Sequence, residues 1–135
     1  MSTAMPNQGA PRRYVLDAGA LIAQERGDVK VAALFKVAAA QSIEMVLPSV
    51  VLAQVWRNGA RQVQLARTLG NPGVTEAPLR HEDAKRVGEL LRKSATADVA
   101  DAHVAVLAGR LGAAVITSDS GDIAKLNPAL PILKV

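Results

Sequence analysis

Five aspartates, Asp17, Asp98, Asp101, Asp119 and Asp122, hold the positions in this 135-residue chain best suited to chemistry. Asp17 closes the apolar run Tyr14-Val15-Leu16, and Asp119 follows the run Ala113 to Thr117. An acid at the carboxyl end of a strand projects from the sheet's rim, where ligands of helix-flanked parallel sheets collect. Asp98 and Asp101 lie at the start of the helical segment leading into the second run, and Asp122 sits on the turn after Asp119. Two carboxylates ~4 Å apart repel by roughly 4 kcal/mol at an effective dielectric near 20. A converging set therefore stays partly protonated or takes a divalent cation. Oxygen-only donors, in a chain with no Cys and two unpaired His, select Mg²⁺ or Mn²⁺ over Zn²⁺. Such a carboxylate-held ion with open water positions suits phosphodiester hydrolysis.

Each acid also has a structural reading. Asp98, with Asp101 three residues on, resembles a capping box, and Asp119 with Asp122 could form turns in SDSGD. Asp17 is expected to have no local capping duty, closing as it does an apolar strand. Joint placement on one rim favours the chemical reading.

The elements that must position these acids follow from patterning. Short apolar runs at Arg13 to Leu16, Ile43 to Leu47, Val74 to Glu76, Ala113 to Thr117 and Leu130 to Leu133 read as strands. Helical segments alternate with them. Asp28 caps one through about Gln41, with Val31, Leu34, Phe35 and Ala38 on one stripe. Ser49 is placed to cap another through about Arg57, broken at Asn58-Gly59 and resumed from Ala60 to Leu69. Further helices are expected over Arg80 to Lys93, Asp98 to Arg110 and Gly121 to Leu126. The alternation predicts an α/β fold: a central, mostly parallel sheet of four to five strands with helices on both faces. Residues 1–11 read as a disordered lead, in which Met5 offers an alternative start, and 12–135 as a single domain.

Composition narrows the classes. Alanine supplies 25 residues and valine 16, against one Phe, one Tyr and one Trp. Base-stacking platforms that need clustered aromatics are excluded. The longest uncharged run, Met45 to Trp56, is broken by Pro48 and falls short of the ~18 residues of a membrane span. No secretory signal pattern opens the chain, and no nucleotide-binding glycine motif appears. The first strand ends D-A-G and not D-x-D, against a haloacid-dehalogenase-like phosphatase. No Ser–His–Asp set is identifiable. His103 points away from Asp101 towards the Ala100, Val104, Leu107 stripe and reads as a partly buried structural residue, His81 as exposed. Thr117 and Ser118 are placed to orient Asp119 or a bound water.

The strings VLDAGALIA, PSVVLAQVWR, DVADAHVAVLAGRLGAAVITSD and GDIAKL, in that order, resemble the PIN-domain family, and among it the VapC-type toxins of toxin–antitoxin modules. The resemblance implies a three-layer α/β/α fold and a Mg²⁺- or Mn²⁺-dependent endoribonuclease in which a metal-activated water attacks an RNA phosphate. It makes Asp17, Asp101 and Asp119 the catalytic and metal-holding acids, with Asp122 accessory. It further implies a homodimer, a cognate antitoxin and a tRNA- or rRNA-class substrate, while the absence of cysteine suits a cytoplasmic protein and the short uncharged run predicts no membrane partner.

One position departs from the pattern: Gln54 stands in LAQVW where the family often has Glu. An amide can offer its carbonyl oxygen to a metal, directly or through water, but cannot act as a base. Weaker metal affinity and attenuated catalysis are expected, and the alternative is a silent domain that only binds RNA or an antitoxin-like partner. With Asp17, Asp101, Asp119 and Asp122 neutralised, sixteen cations face eight anions in a chain of formal charge +4, which suits an RNA track. If the helix continues through Asn58-Gly59, Gln54, Arg57 and Arg61 share a face beside the acids. Arg12 and Arg13 extend that track from the lead.

Overall fold

The computed structural model describes residues 11–135, so most of the expected disordered lead, with Met5, lies outside the described residues. Five strands, β1 (Arg13–Leu16), β2 (Glu44–Pro48), β3 (Val74–Ala77), β4 (Ala114–Thr117) and β5 (Ile132–Lys134), form one sheet in the order β3-β2-β1-β4-β5. Every pairing is parallel, with Val15 opposite Val46 on one side and Val115 on the other. The innermost strands carry the purest apolar runs: Tyr14, Val15 and Leu16 of β1 and all four residues of β4 are buried. A strand covered on both faces has no room for alternating polar residues.

Seven helices fill the connections: α1 (Ala18–Glu25), α2 (Val29–Ala40), α3 (Ser49–Val55), α4 (Val63–Gly70), α5 (His81–Ser94), α6 (Val99–Leu111) and α7 (Ser120–Leu126). α1 packs with α2, α3 and α4, while α5, α6 and α7 pack with one another. Right-handed crossovers put these two groups on opposite faces of the sheet. The result is the expected three-layer α/β/α architecture. α6 is the central helix of its layer, burying Ala100, Val104, Leu107 and Ala108 in the core shared with β1, β2 and β4. Its alanines let it approach the sheet closely. It ends at Gly112, whose left-handed φ of 63° lets Ala113 turn straight into β4. No helix among the described residues is long and apolar enough to cross a membrane.

Three local expectations are corrected. Ser49 does not cap α3; its hydroxyl donates to Glu76 Oε2 of β3 at 2.6 Å. α3 stops at Val55, not near Arg57, and α4 begins at Val63, not Ala60. Gln62 causes the break: its amide nitrogen donates to the Val55 carbonyl at 2.8 Å, and its oxygen accepts from the Arg57 and Asn58 amides at 2.8 and 2.9 Å. A side chain here takes the place of the next helical turn. Gln54, Arg57 and Arg61 consequently do not share one helix face.

His103 is fully buried, more than the partial burial expected, and neither ring nitrogen has a hydrogen-bond partner. Its Nε2 lies 3.8 Å from Asp83 Oδ2, too long for a hydrogen bond. Burial outweighs the nearby Asp83 charge and holds the imidazole pKa below its ordinary 6.5. Because the unfolded chain protonates first, the stability contributed by neutral His103 is complete above pH 6.5 and lost as pH falls below it. Thermal melts from pH 7.5 to 5 should therefore show wild type losing stability faster than His103→Leu, which has nothing to protonate there. Parallel slopes would contradict this reading.

Candidate active site

The sheet reverses its winding between β1 and β4, and the carboxyl ends of these two strands define the crevice where ligands of such folds bind. Asp17 follows β1 and Asp119 lies two residues beyond β4, so both acids stand at this switch point. The Asp17 amide continues the β1–β4 ladder by donating to the Ile116 carbonyl at 3.2 Å. α6 brings Asp101 to the rim on its first turn, and α7 brings Asp122 on its own.

Three of the acids cap helices. Asp17 Oδ1 accepts from the Ala20 amide at 3.0 Å and starts α1, contrary to the expectation that this residue has no capping duty. The strand and helix are joined so tightly that the strand-closing residue is also the N-cap. Asp98 Oδ1 accepts from the Asp101 amide at 2.9 Å, and Asp119 Oδ1 from the Gly121 and Asp122 amides at 3.1 and 3.3 Å. Capping and metal binding are thus compatible roles, since each cap engages one carboxylate oxygen and leaves the other. The amino ends of α1, α6 and α7 all face the acids, and their dipoles favour negative charge there.

Thr117 joins the two corners. Its buried hydroxyl accepts from the Asp119 amide at 2.9 Å, and it lies close enough to Asp17 to favour that carboxylate's charged form. The second link was not legible in the chain, because it depends on β1 and β4 being neighbours.

The charges of these groups act on one another. Burial raises the Asp17 pKa above 3.8, opposed by the Thr117 hydroxyl and the Ala20 and Gly19 amides, with the Asp119 charge raising it further. Asp101 is pushed up to about 6, first by burial and then by the charges of Asp98, Asp17, Asp122 and Asp119. Among the described residues, none of these five acids has an ion-pair partner.

The donors fit a hard divalent cation in kind: all are carboxylate oxygens, mutually repelling and without an ion-pair partner among the described residues. They are not closed into a cage; among the described residues no three acidic or histidine side chains are placed to hold one ion together. Mg²⁺ tolerates that arrangement, since it commonly keeps several waters and takes one or two carboxylates. Gln54 is exposed and shares with Asp98 a hollow of about 540 Å³ between α3 and the start of α6. Another hollow, of about 430 Å³, is lined by Ser42, Glu44 and Thr75 at the amino ends of β2 and β3, away from the acids.

The arginines are dispersed. Arg57 folds back onto α3, its guanidinium donating to the Ala53 and Trp56 carbonyls at 3.2 and 2.6 Å. Arg61 lines a separate hollow with Glu25 and Arg26. Arg13 pairs with Glu44 at 2.9 Å at the amino end of β1, and Arg12 precedes it, so both stand at the rim opposite Asp17.

The family model described as "PIN domain" matches residues 14–127, nearly the whole described chain. No curated protein sequence matches. Among solved structures, VapBC2 of Rickettsia felis bound to a promoter DNA fragment is similar over 91% of this chain and 98% of its own, with a TM-score of 0.72 and 16% identity. A toxin–antitoxin complex from Klebsiella pneumoniae is similar over 90% and 96%, with a TM-score of 0.66 and 15% identity. FitAcB of Neisseria gonorrhoeae covers the same shares at a TM-score of 0.62 and 16% identity. At such identities these likenesses speak for the fold, while the family match spans both switch-point acids and Asp101, and on that match the chain belongs to the PIN-domain family.

Proposed function

We propose that the protein is a Mg²⁺- or Mn²⁺-dependent endoribonuclease of the VapC toxin type, silenced by a cognate antitoxin and working as a homodimer in the cytoplasm. The observation that carries this reading is the convergence of Asp17, Asp101, Asp119 and Asp122 from four segments on the β1/β4 switch point, with no cation paired to them among the described residues. Asp17 and Asp119, fixed by their caps and by Thr117, would hold the metal, with Asp101 and Asp122 adding negative charge beside it. When bound, such an ion acidifies water and offsets charge on a phosphodiester. Asp101, on the first turn of α6, would take the proton released by the attacking water. Exposed Arg57 and Arg61 offer phosphate contacts along the α3–α4 connection. With three aromatics in the chain, RNA is gripped by phosphate and shape, not stacked bases.

Purified protein is expected to nick a total tRNA and rRNA pool with Mn²⁺ present, to stop in EDTA, and to leave matched DNA intact. Cleavage in EDTA sinks the metal-dependent reading; cleavage of DNA in preference to RNA sinks the ribonuclease reading.

Gln54 supports a second reading, a silent PIN domain that binds RNA or an antitoxin, because its amide stands exposed beside Asp98 where a carboxylate would add charge and basicity. Gln54→Glu is expected to raise Mn²⁺ affinity and cleavage by about tenfold, the lower end of what shell residues contribute. Metal uptake with no cleavage by either form would instead establish the silent domain.

A further inference from the structure

We propose that Gly19 and Ser118 form a steric spacer that sets the separation of the Asp17 and Asp119 corners; its link to metal binding rests on the function proposed above. Gly19 is the second residue of α1, immediately after the corner made by Asp17, and Ser118 immediately precedes Asp119. The two touch. A Cβ on Gly19 would collide with Ser118 Oγ and come within 3.1 Å of both the Ser118 Cβ and its backbone nitrogen. Rotating the hydroxyl away relieves the Oγ clash but leaves the two 3.1 Å contacts, so one corner must still give by about a few tenths of an ångström.

Helical preference does not explain a glycine at this position, because alanine is favoured over it in a helix. Gly19 has no left-handed φ that would call for glycine either; among the described residues those glycines are Gly27 and Gly112. Space is what the residue supplies. The contact lies just beyond the Asp17–Ile116 ladder bond and the Thr117 hydroxyl, the other ties between these corners. The Gly19 amide lies close enough to the Asp17 carboxylate to favour its charged form, so displacing Gly19 disturbs that acid's surroundings. Ser118 thus acts as a positioning residue, through Asp119, and Gly19 acts through Asp17.

The test uses wild type, Gly19→Ala and the compensating pair Gly19→Ala/Ser118→Gly, which removes both side-chain atoms that the new methyl would meet. Three readouts are taken: thermal melting, Mn²⁺ titration, and the amide resonances of residues 119–122 without metal. Gly19→Ala should stay folded, shift those resonances and bind Mn²⁺ about tenfold more weakly, and the pair should return both towards wild type. Unmoved resonances in Gly19→Ala overturn the spacer, as does a pair that remains as perturbed as the single variant. Should Gly19→Ala fail to fold, a well-folded pair with wild-type resonances supports the spacer, and an unfolded pair contradicts it. If the resonances move and recover while wild type takes up no Mn²⁺, the spacer stands and the nuclease reading falls.

Discussion

Asp101→Asn should lower metal-dependent RNA cleavage by about 100-fold or more while making the metal-free protein more stable at pH 7.5. The two effects share one cause. Asp101 is half-buried among four other acids, and its pKa is raised from 3.8 to about 6. The folded protein holds that proton more tightly than the unfolded chain does. The stabilisation this brings is complete below pH 3.8 and lost as pH rises through 6, so at pH 7.5 ionised Asp101 is a burden on the fold. Removing its charge should restore on the order of 1 kcal/mol, after allowance for screening by solvent. In EDTA the melting temperatures of wild type and variant should converge below pH 3.8 and separate as pH rises to 7.5. A variant that melts lower at pH 7.5, or that cleaves like wild type, removes Asp101 from the site.

The second large effect lies away from the rim and should leave the chemistry untouched. Asp83 is buried on α5, where its Oδ2 accepts from the Arg110 guanidinium of α6 at 2.9 Å. A carboxylate left buried without its partner is among the costliest single changes. Arg110→Met keeps the aliphatic stem and removes the charge. Since the Arg110 side chain is 43% exposed and water can partly replace it, a loss of about 2 kcal/mol is expected, below the usual range for a fully enclosed pair. Urea melts measure it directly. Adding Asp83→Asn should recover part of the loss, because no unpaired charge remains. Mn²⁺ affinity should match wild type in both. A loss under about 0.5 kcal/mol would show that Arg110 contributes nothing through Asp83.

The sequence carried the rim but not its wiring. Apolar runs ending in Asp17 and preceding Asp119 announce strand ends, and the helix start at Asp98-Val99-Ala100-Asp101 announces a third approach. Those signals are local, which is why they survive translation into structure. What depends on neighbours in space was not legible. Thr117 joins Asp17 to Asp119 only because β1 and β4 are adjacent, an order that periodicity does not specify. Ser49 has the local chemistry of a cap, yet Glu76 on β3 claims its hydroxyl. Gln62 ends α3 from seven residues downstream, through the Val55 carbonyl, and so separates Arg57 and Arg61 from the expected shared face. His103 and Asp83 meet across two helices, and nothing in either segment marks the other.

The central question for this protein is whether the rim holds a divalent ion through its aspartates. Titration calorimetry of Mn²⁺ into wild type, Asp17→Asn and Asp101→Asn at pH 7.5 tests that most directly. Saturable binding by wild type, weakened about tenfold or more in both variants, is the predicted result. No binding by wild type, or equal binding by all three proteins, would contradict it.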